Sequence, residues 1–354
     1  MKKTEIIKLD SHNPDQEKIN FAAEVITNGG LVVFPTETVY GIAANALNAV
    51  TVDRLSQVKR RPEEKKYSIH IAHKEDVEKY ASNIPTAAYK LMDRFWPGPL
   101  TIILQSKHSS SGTVGLRLPN NNIALKLIET AGVPVFAPSA NVSGKHAPAK
   151  IEDVLKDLKG LVDIVIDGGV TEFGVSSSVV DVAQIPARLM REGVIKKEEI
   201  LKVINSKHIL FVCTGNSCRS VMAAELMKKK VAGRDDIFVE SAGVGALPGM
   251  SASESTIELL KKEGIDARAH RSQGASDDLV KRSDLILVME RHHKNKLLSM
   301  FPFAKERTFL LKEFVKIGEL DVNIPDPIGM PMGFYANCFS VIQECIEEVY
   351  KKIQ

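Results

Sequence analysis

Ile209-Leu210-Phe211-Val212-Cys213-Thr214-Gly215-Asn216-Ser217-Cys218-Arg219-Ser220 is the stretch on which the reading turns. Its apolar start reads as a buried strand, Thr214 to Ser217 as a turn-rich loop, and Met222 to Lys230 as an amphipathic helix. In such a unit the backbone N–H groups of the loop converge on one point, and the helix N-terminus adds partial positive charge. That combination traps an anion such as phosphate and lowers a thiol pKa, so Cys213 reads as a thiolate. Arg219 closes the loop, where a guanidinium can hold two phosphate oxygens, and Ser220 can hydrogen-bond the sulfur. A zinc site fits poorly, because Cys213 and Cys218 are not at finger spacing and no matching His or Cys pair follows. The loop also lacks the Gly-Lys-Ser/Thr of a nucleotide P-loop. A buried structural cysteine is the bland alternative, and the strand before it and helix behind it count against that.

Working outward, strand and helix signals alternate: Phe238 to Glu240, a helix over 251–263, Asp284 to Met289, a helix from 291 and a terminal helix over 334–352. This predicts a small doubly wound parallel sheet for residues 206–354. Upstream, the polar stretch Lys196 to His208 marks a boundary near 205, as expected for a 354-residue chain with two cores. All four cysteines, Cys213, Cys218, Cys338 and Cys345, fall after that boundary. So few thiols give no disulfide framework, and the polar N-terminus carries no secretory signal, so the expected location is cytoplasmic. No apolar run approaches a membrane span. The formal charge of +3 is too small for general nucleic-acid binding.

Residues 1–205 read as a second α/β unit with a central sheet and flanking helices. Strands are expected at Leu31 to Phe34, Leu100 to Leu104, Val114 to Leu118, Val133 to Phe136, Ile164 to Ile166 and Val179 to Val182. Helices are expected near 17–28, 51–58, 86–94, 122–131 and 151–158. The unit has no cysteine and no Gly-x-Gly-x-x-Gly. Its chemistry sits in hydroxyls and cations on loops, Pro35-Thr36-Glu37-Thr38-Val39-Tyr40-Gly41 and the basic run Lys59 to Lys66. Ser109-Ser110-Ser111 and Ser176-Ser177-Ser178 read as polar loop clusters.

The second unit resembles the low-molecular-weight protein phosphatases through the Cys213 loop, Ser241-Ala242-Gly243, Gly264-Ile265-Asp266, His270-Arg271-Ser272, Asp284 to Met289 and Asp326-Pro327. The resemblance implies a cofactor-free hydrolase acting on a phosphorylated protein. Cys213 would attack phosphorus, Arg219 would hold the equatorial oxygens, and Asp326 would protonate the leaving group, with water then hydrolysing a cysteinyl phosphate. Thr214, Gly215, Asn216, Ser217, Cys218 and Ser220 would support the phosphate loop. Hydroxyls at Thr214 and Ser217, and Asp326-Pro327-Ile328-Gly329 without the family's pocket tyrosines, favour phosphoarginine over phosphotyrosine. Cys218 resembles the partner of a protective redox pair. Val221 departs from the family's usual proline.

The first unit resembles the YrdC-like threonylcarbamoyl-adenylate synthases, with an open mixed sheet and flanking helices as the implied fold. The carrying segments are Pro35 to Gly41, Lys59-x-Arg61-Pro62, Ser68 to Ile71, Trp96 to Thr101, Gly115 to Pro119, Ala137 to Gly144, Ser177 to Asp181 and Arg191-Glu192-Gly193. The implied reaction joins L-threonine, bicarbonate and ATP, with Mg2+ accompanying ATP, into threonylcarbamoyl-AMP for the tRNA-modification machinery. Lys59, Arg61, Ser139, Asn141, Ser177 and Arg191 match ATP contacts, and Thr36, Tyr40, His70 and Arg117 match the threonine pocket. No resident protein metal is implied. Lys65-Lys66-Tyr67 and Ser176 depart from the family pattern. The competing reading is a non-catalytic RNA or nucleotide-binding module using the Arg54 to Lys66 patch.

Overall fold

The computed structural model describes residues 3–61, 66–108, 112–317 and 322–354. Pro62, Lys65 and the Ser109 to Ser111 cluster lie outside the described residues. The chain divides into two compact units, Met1–Ile204 and Asn205–Gln354.

In the first unit, ten strands form one mixed sheet. They are β1 (Glu5–Lys8), β2 (Val32–Phe34), β3 (Gly41–Asn45), β4 (Ser68–His70), β5 (Leu100–Gln105), β6 (Thr113–Arg117), β7 (Val135–Phe136), β8 (Ile164–Asp167), β9 (Ser178–Asp181) and β10 (Arg188–Arg191). The order is β1-β8-β2-β3-β7-β4-β6-β5-β9-β10. The two-residue period of a strand sends successive side chains to opposite faces. Val32 and Phe34 accordingly join one cluster with Ile19 and Leu127, beneath the helices Gln16–Thr27 and Asn122–Ala131. Leu31 and Val33 join the opposite cluster with Leu55 and Leu158, from the helices Ala49–Lys59 and Ile151–Leu158. Burying each such side chain is worth about 1.5–3 kcal/mol, which is why the alternation fixes register. Asp15 caps the first helix by accepting from the Glu17 and Lys18 amides.

Sequence patterning does not find β1, β3, β4 or β10. β3 is built largely of small residues, Gly-Ile-Ala-Ala-Asn, yet is buried throughout, and β10 is a mostly exposed edge ending in Arg191. These two strands lead to or from the residues that matter: Tyr40 precedes β3 and Arg191 ends β10.

The second unit has four parallel strands, β11 (Lys207–Cys213), β12 (Ile237–Gly243), β13 (Leu285–Val288) and β14 (Thr308–Leu310), ordered β12-β11-β13-β14. Ile209 and Phe211 pack under the helices Arg219–Lys230 and Met332–Ile353, whereas Leu210 and Val212 pack on the other face with Leu279 and Leu297. Both faces are therefore covered, as a doubly wound sheet requires. The chain winds from β11 to β12 on one side and returns to β13 on the other. This opens a crevice at the C-terminal end of β11, where ligands bind in such folds. The Cys213 loop leaves the sheet there. The following helix starts at Arg219, three residues before the amphipathic pattern predicts. Among the described residues, no helix is long and apolar enough to cross a membrane.

Candidate active sites

At the end of β11, Cys213 is buried with its Sγ 3.0 Å from the Ser220 hydroxyl. Asn216 takes a left-handed backbone, φ 53°, and its side chain knots the loop together. Its amide donates to Ser220 Oγ at 3.0 Å and Ser241 Oγ at 2.9 Å, and its Oδ1 accepts from the Gln273 amide at 2.9 Å. Ser220 is thereby oriented on the sulfur by a buried partner. Asn supports this shape because it tolerates the left-handed region that most side chains avoid.

Arg219 is almost wholly buried. It donates through Nη1 to Glu290 Oε2 at 2.5 Å and the Ile324 carbonyl at 2.8 Å, and through Nη2 to Asp326 Oδ2 at 2.5 Å. Its Nε is buried without a partner among the described residues. A guanidinium held on two sides, with Nε–H and one Nη2 hydrogen left over, fits an anion. Thr214 Oγ1 lies 2.8 Å from His293 Nε2. Burial, then Arg219, then His292 hold the His293 imidazole down at about 3, so it is neutral. Its Nδ1 accepts from the Glu290 amide at 3.1 Å, so the proton sits on Nε2 and Thr214 is the acceptor, leaving the hydroxyl hydrogen of Thr214 available. Cys218 contacts Ser253 Oγ at 3.3 Å and Tyr335 OH at 3.6 Å, and all four cysteines are free thiols.

In the first unit, a cavity of about 240 Å3 is lined by Thr36, Tyr40, Arg61, His70, Arg117, Ser139, Ser177 and Arg191, among others. Arg61, Arg117 and Arg191 line this one space, and burial, then Arg117, then Arg61 lower the Arg191 pKa. Burial and then Arg117 hold His70 well below its ordinary range, so it is neutral. Among the described residues, no carboxylate lines the wall. Arg191 grips Ser177, donating to its carbonyl through Nε at 3.0 Å and Nη2 at 2.8 Å. Gly193 permits this fold-back, since a Cβ there would sit 2.1 Å from the Ser176 carbonyl oxygen. Tyr40 donates its hydroxyl to the Gly169 carbonyl at 2.6 Å, and burial raises its pKa to about 12.

Two predicted residues stand beneath this wall instead of in it. Lys59 is buried and donates to the carbonyls of Ser139 at 2.5 Å and Asn141 at 2.8 Å. Burial, with Arg61, brings its pKa down to about 8. Asn141 accepts from Ser139 Oγ at 2.6 Å and donates to the Val142 and Lys145 carbonyls. Both residues shape the loop that presents Ser139.

The family model covering Sua5, YciO and YrdC, described as telomere recombination, matches residues 24–193. That of the low molecular weight phosphotyrosine protein phosphatases matches residues 208–354. The threonylcarbamoyl-AMP synthase of Pyrococcus abyssi is 41% identical over 232 residues, 64% of this chain and 68% of that protein. The protein-arginine-phosphatase of Geobacillus stearothermophilus is 40% identical over 146 residues, 41% of this chain and 95% of that protein. The chain belongs to both families, as a fusion of the two. Among solved structures, P. abyssi Sua5 complexed with L-threonine matches with a TM-score of 0.55 at 31% identity, covering 81% of this chain and 100% of that one.

The synthase-like unit thus carries the 240 Å3 cavity, and the phosphatase-like unit carries the Cys213 loop. Sequence reading misses the groups that hold the named residues in place. In the phosphatase-like unit these are Glu290 and His293, and in the synthase-like unit Glu37 and Thr38. Glu290-Arg-His-His immediately after β13 carries a usable signal, a carboxylate and an imidazole three residues apart at a helix start on the ligand edge of the sheet.

Proposed function

We propose that the synthase-like unit makes threonylcarbamoyl-AMP from L-threonine, bicarbonate and ATP, and that the phosphatase-like unit hydrolyses protein phosphoarginine. The observation that carries the first half is the convergence of Arg61, Arg117, Arg191 and neutral His70 on one cavity, whose described wall residues include no carboxylate. Such a wall suits polyphosphate together with an amino-acid carboxylate. Arg61 and Arg191 bind the ATP phosphates, and Arg117 pairs with the threonine carboxylate beside Thr36, His70 and Tyr40. Lys59 acts from below on the carbonyls of Ser139 and Asn141. Mg2+ arrives as part of the ATP substrate. The threonine amine and bicarbonate condense to a carbamate with loss of water. The carbamate oxygen then attacks the α-phosphorus and pyrophosphate leaves, a reaction served by placement and charge without a protein nucleophile. The L-threonine complex of P. abyssi Sua5 supports the substrate assignment. The product passes to the tRNA-modification machinery.

In the phosphatase-like unit, the carrying observation is Cys213 Sγ on Ser220 Oγ beside an Arg219 whose buried Nε has no partner among the described residues. A phosphoryl group entering the loop takes the Arg219 N–H groups and releases Asp326, which takes up a proton from solvent once it has left the guanidinium. The Sγ–P bond forms as the bond to the leaving nitrogen breaks, and Asp326 gives that nitrogen a proton. Asp326 then takes a proton from the water that cleaves the cysteinyl phosphate. The protein-arginine-phosphatase relative supports the arginine assignment. So do the polar Thr214 and Ser217, and Ile328 where an aromatic wall would stand.

The deciding assay uses the full chain. Pyrophosphate release should require threonine, bicarbonate and ATP together, and a phosphoarginine protein should be dephosphorylated with a higher kcat/KM than a phosphotyrosine peptide. Well-folded protein that binds RNA in a salt-sensitive way and releases no pyrophosphate would refute the synthase assignment in favour of the binding module.

A further inference from the structure

Arg117 and Glu37 form a buried ion pair between two cavities. Arg117 faces the 240 Å3 cavity, and Glu37 lies in the wall of a second, of about 430 Å3, with Thr36 common to both. The side chains of the pair are 6% and 2% exposed, and Arg117 Nη2 donates to Glu37 Oε1 at 2.7 Å. The same nitrogen donates to Thr38 Oγ1 at 2.8 Å, and Thr38 Oγ1 lies 2.9 Å from Thr36 Oγ1. Arg117 Nε reaches the Gly98 carbonyl at 3.4 Å. Two edges of the guanidinium are therefore tied down, and Nη1 has no protein partner among the described residues. The main chain of Glu37 is itself fixed, for its carbonyl accepts from the Phe173 amide at 2.9 Å.

We propose that Glu37 is a positioning residue for substrate recognition: it holds Arg117 from the side away from the cavity so that Nη1 is presented to the carboxylate of threonine. This rests on the synthase assignment above. Arginine keeps its charge under all ordinary conditions, so without an acceptor behind it the guanidinium would turn to whichever carbonyl or water is available. With Glu37 and Thr38 on Nη2, one orientation is set before substrate arrives, and the ordering cost of binding falls. Glu37 does not touch the cavity, so its effect should reach threonine through Arg117 and leave ATP alone.

The test measures threonine and ATP binding separately by calorimetry on the full chain, with initial-rate kinetics and melting curves alongside. Glu37→Ala should weaken threonine binding about tenfold to a hundredfold, the span expected for losing a charge-assisted hydrogen bond, while ATP affinity changes less than about twofold. Glu37→Gln keeps an acceptor for Nη2 and should recover most of the loss. Removing one member of a buried pair threatens folding, so Glu37→Ala is also made in an Arg117→Met background, where no unpaired charge remains. There it should change threonine affinity less than about twofold, because the residue it acts through is gone. Equal threonine binding by the native chain and Glu37→Ala would overturn the proposal. So would an undiminished effect in the Arg117→Met background. If the native chain binds no threonine, the synthase assignment fails first and takes the proposal with it.

Discussion

The phosphatase-like site makes a quantitative demand on one glycine. Gly243 ends β12 directly opposite Cys213 in the parallel register, and the Cys213 loop is laced to the residues that follow it. The Val244 amide donates to the Cys213 carbonyl at 2.9 Å and the Gly245 amide to the Thr214 carbonyl at 3.0 Å. A Cβ at position 243 would stand 2.3 Å from the Thr214 carbonyl oxygen, 2.9 Å from Ala246 Cβ and 3.0 Å from the Asn216 nitrogen. Two of these neighbours are backbone atoms of the phosphate loop, so no flexible side chain can absorb the clash. In Gly243→Ala the loop must retreat by ~0.7–1 Å, and a displacement of that order at a reacting centre costs about a hundredfold in rate. Overpacking of this kind also removes ~1–3 kcal/mol of stability. The assay is p-nitrophenyl phosphate turnover below the melting transition, with threonine-dependent pyrophosphate release as an internal control on the same preparation. The expected result is a kcat lowered about a hundredfold with the control unchanged. A kcat within about threefold of native, or a loss fully explained by the unfolded fraction at the assay temperature, would refute the reasoning.

Three further outcomes follow from the same geometry. Cys213→Ser should abolish phosphatase turnover by at least about a thousandfold while leaving pyrophosphate release intact, and residual dephosphorylation near the native rate would contradict a thiolate nucleophile. His293 is held neutral down to about 3 in the fold but protonates near 6.5 once unfolded, so between those values the unfolded state binds the extra proton. Stability of the phosphatase-like unit should therefore fall as the pH drops through this window. His293→Gln should flatten that dependence in denaturant titrations at several pH values. Lys59→Met removes the clamp on the Ser139 and Asn141 carbonyls and should raise the KM for ATP about tenfold, with a smaller change for threonine. Equal changes in both constants would contradict a role confined to that loop.

What the sequence made legible is what local chemistry determines. Ile209 to Val212 reads as a strand because it is buried on both faces, and both faces are indeed covered. The Cys213 loop is equally local, since every residue of the cradle lies within seven positions of the cysteine. β3 was not legible, because Gly41 to Asn45 carries a single β-branched residue, Ile42, and no aromatic among the small residues. Only its place between β2 and β7 makes it one. The supporting groups are hidden for a different reason: Glu290 meets Arg219 across 71 positions and Glu37 meets Arg117 across 80, separations that no periodicity reports.

Those two pairs share a physical logic. Each unit buries an arginine that is to meet an anion, and a bare guanidinium in the interior would carry a heavy desolvation penalty. In each resting site a carboxylate neutralises it, Glu37 for Arg117, and Glu290 with Asp326 for Arg219. The difference lies in exposure. Glu37 is 2% exposed and faces Arg117 from behind, so its proposed part is to orient its partner. Asp326 is 39% exposed on a loop, so an incoming phosphoryl group can displace it. Displacement puts a carboxyl group beside the leaving atom at the moment a proton is needed there. Under the proposed assignments, the same kind of ion pair serves recognition where its acid is buried and catalysis where its acid is free to move.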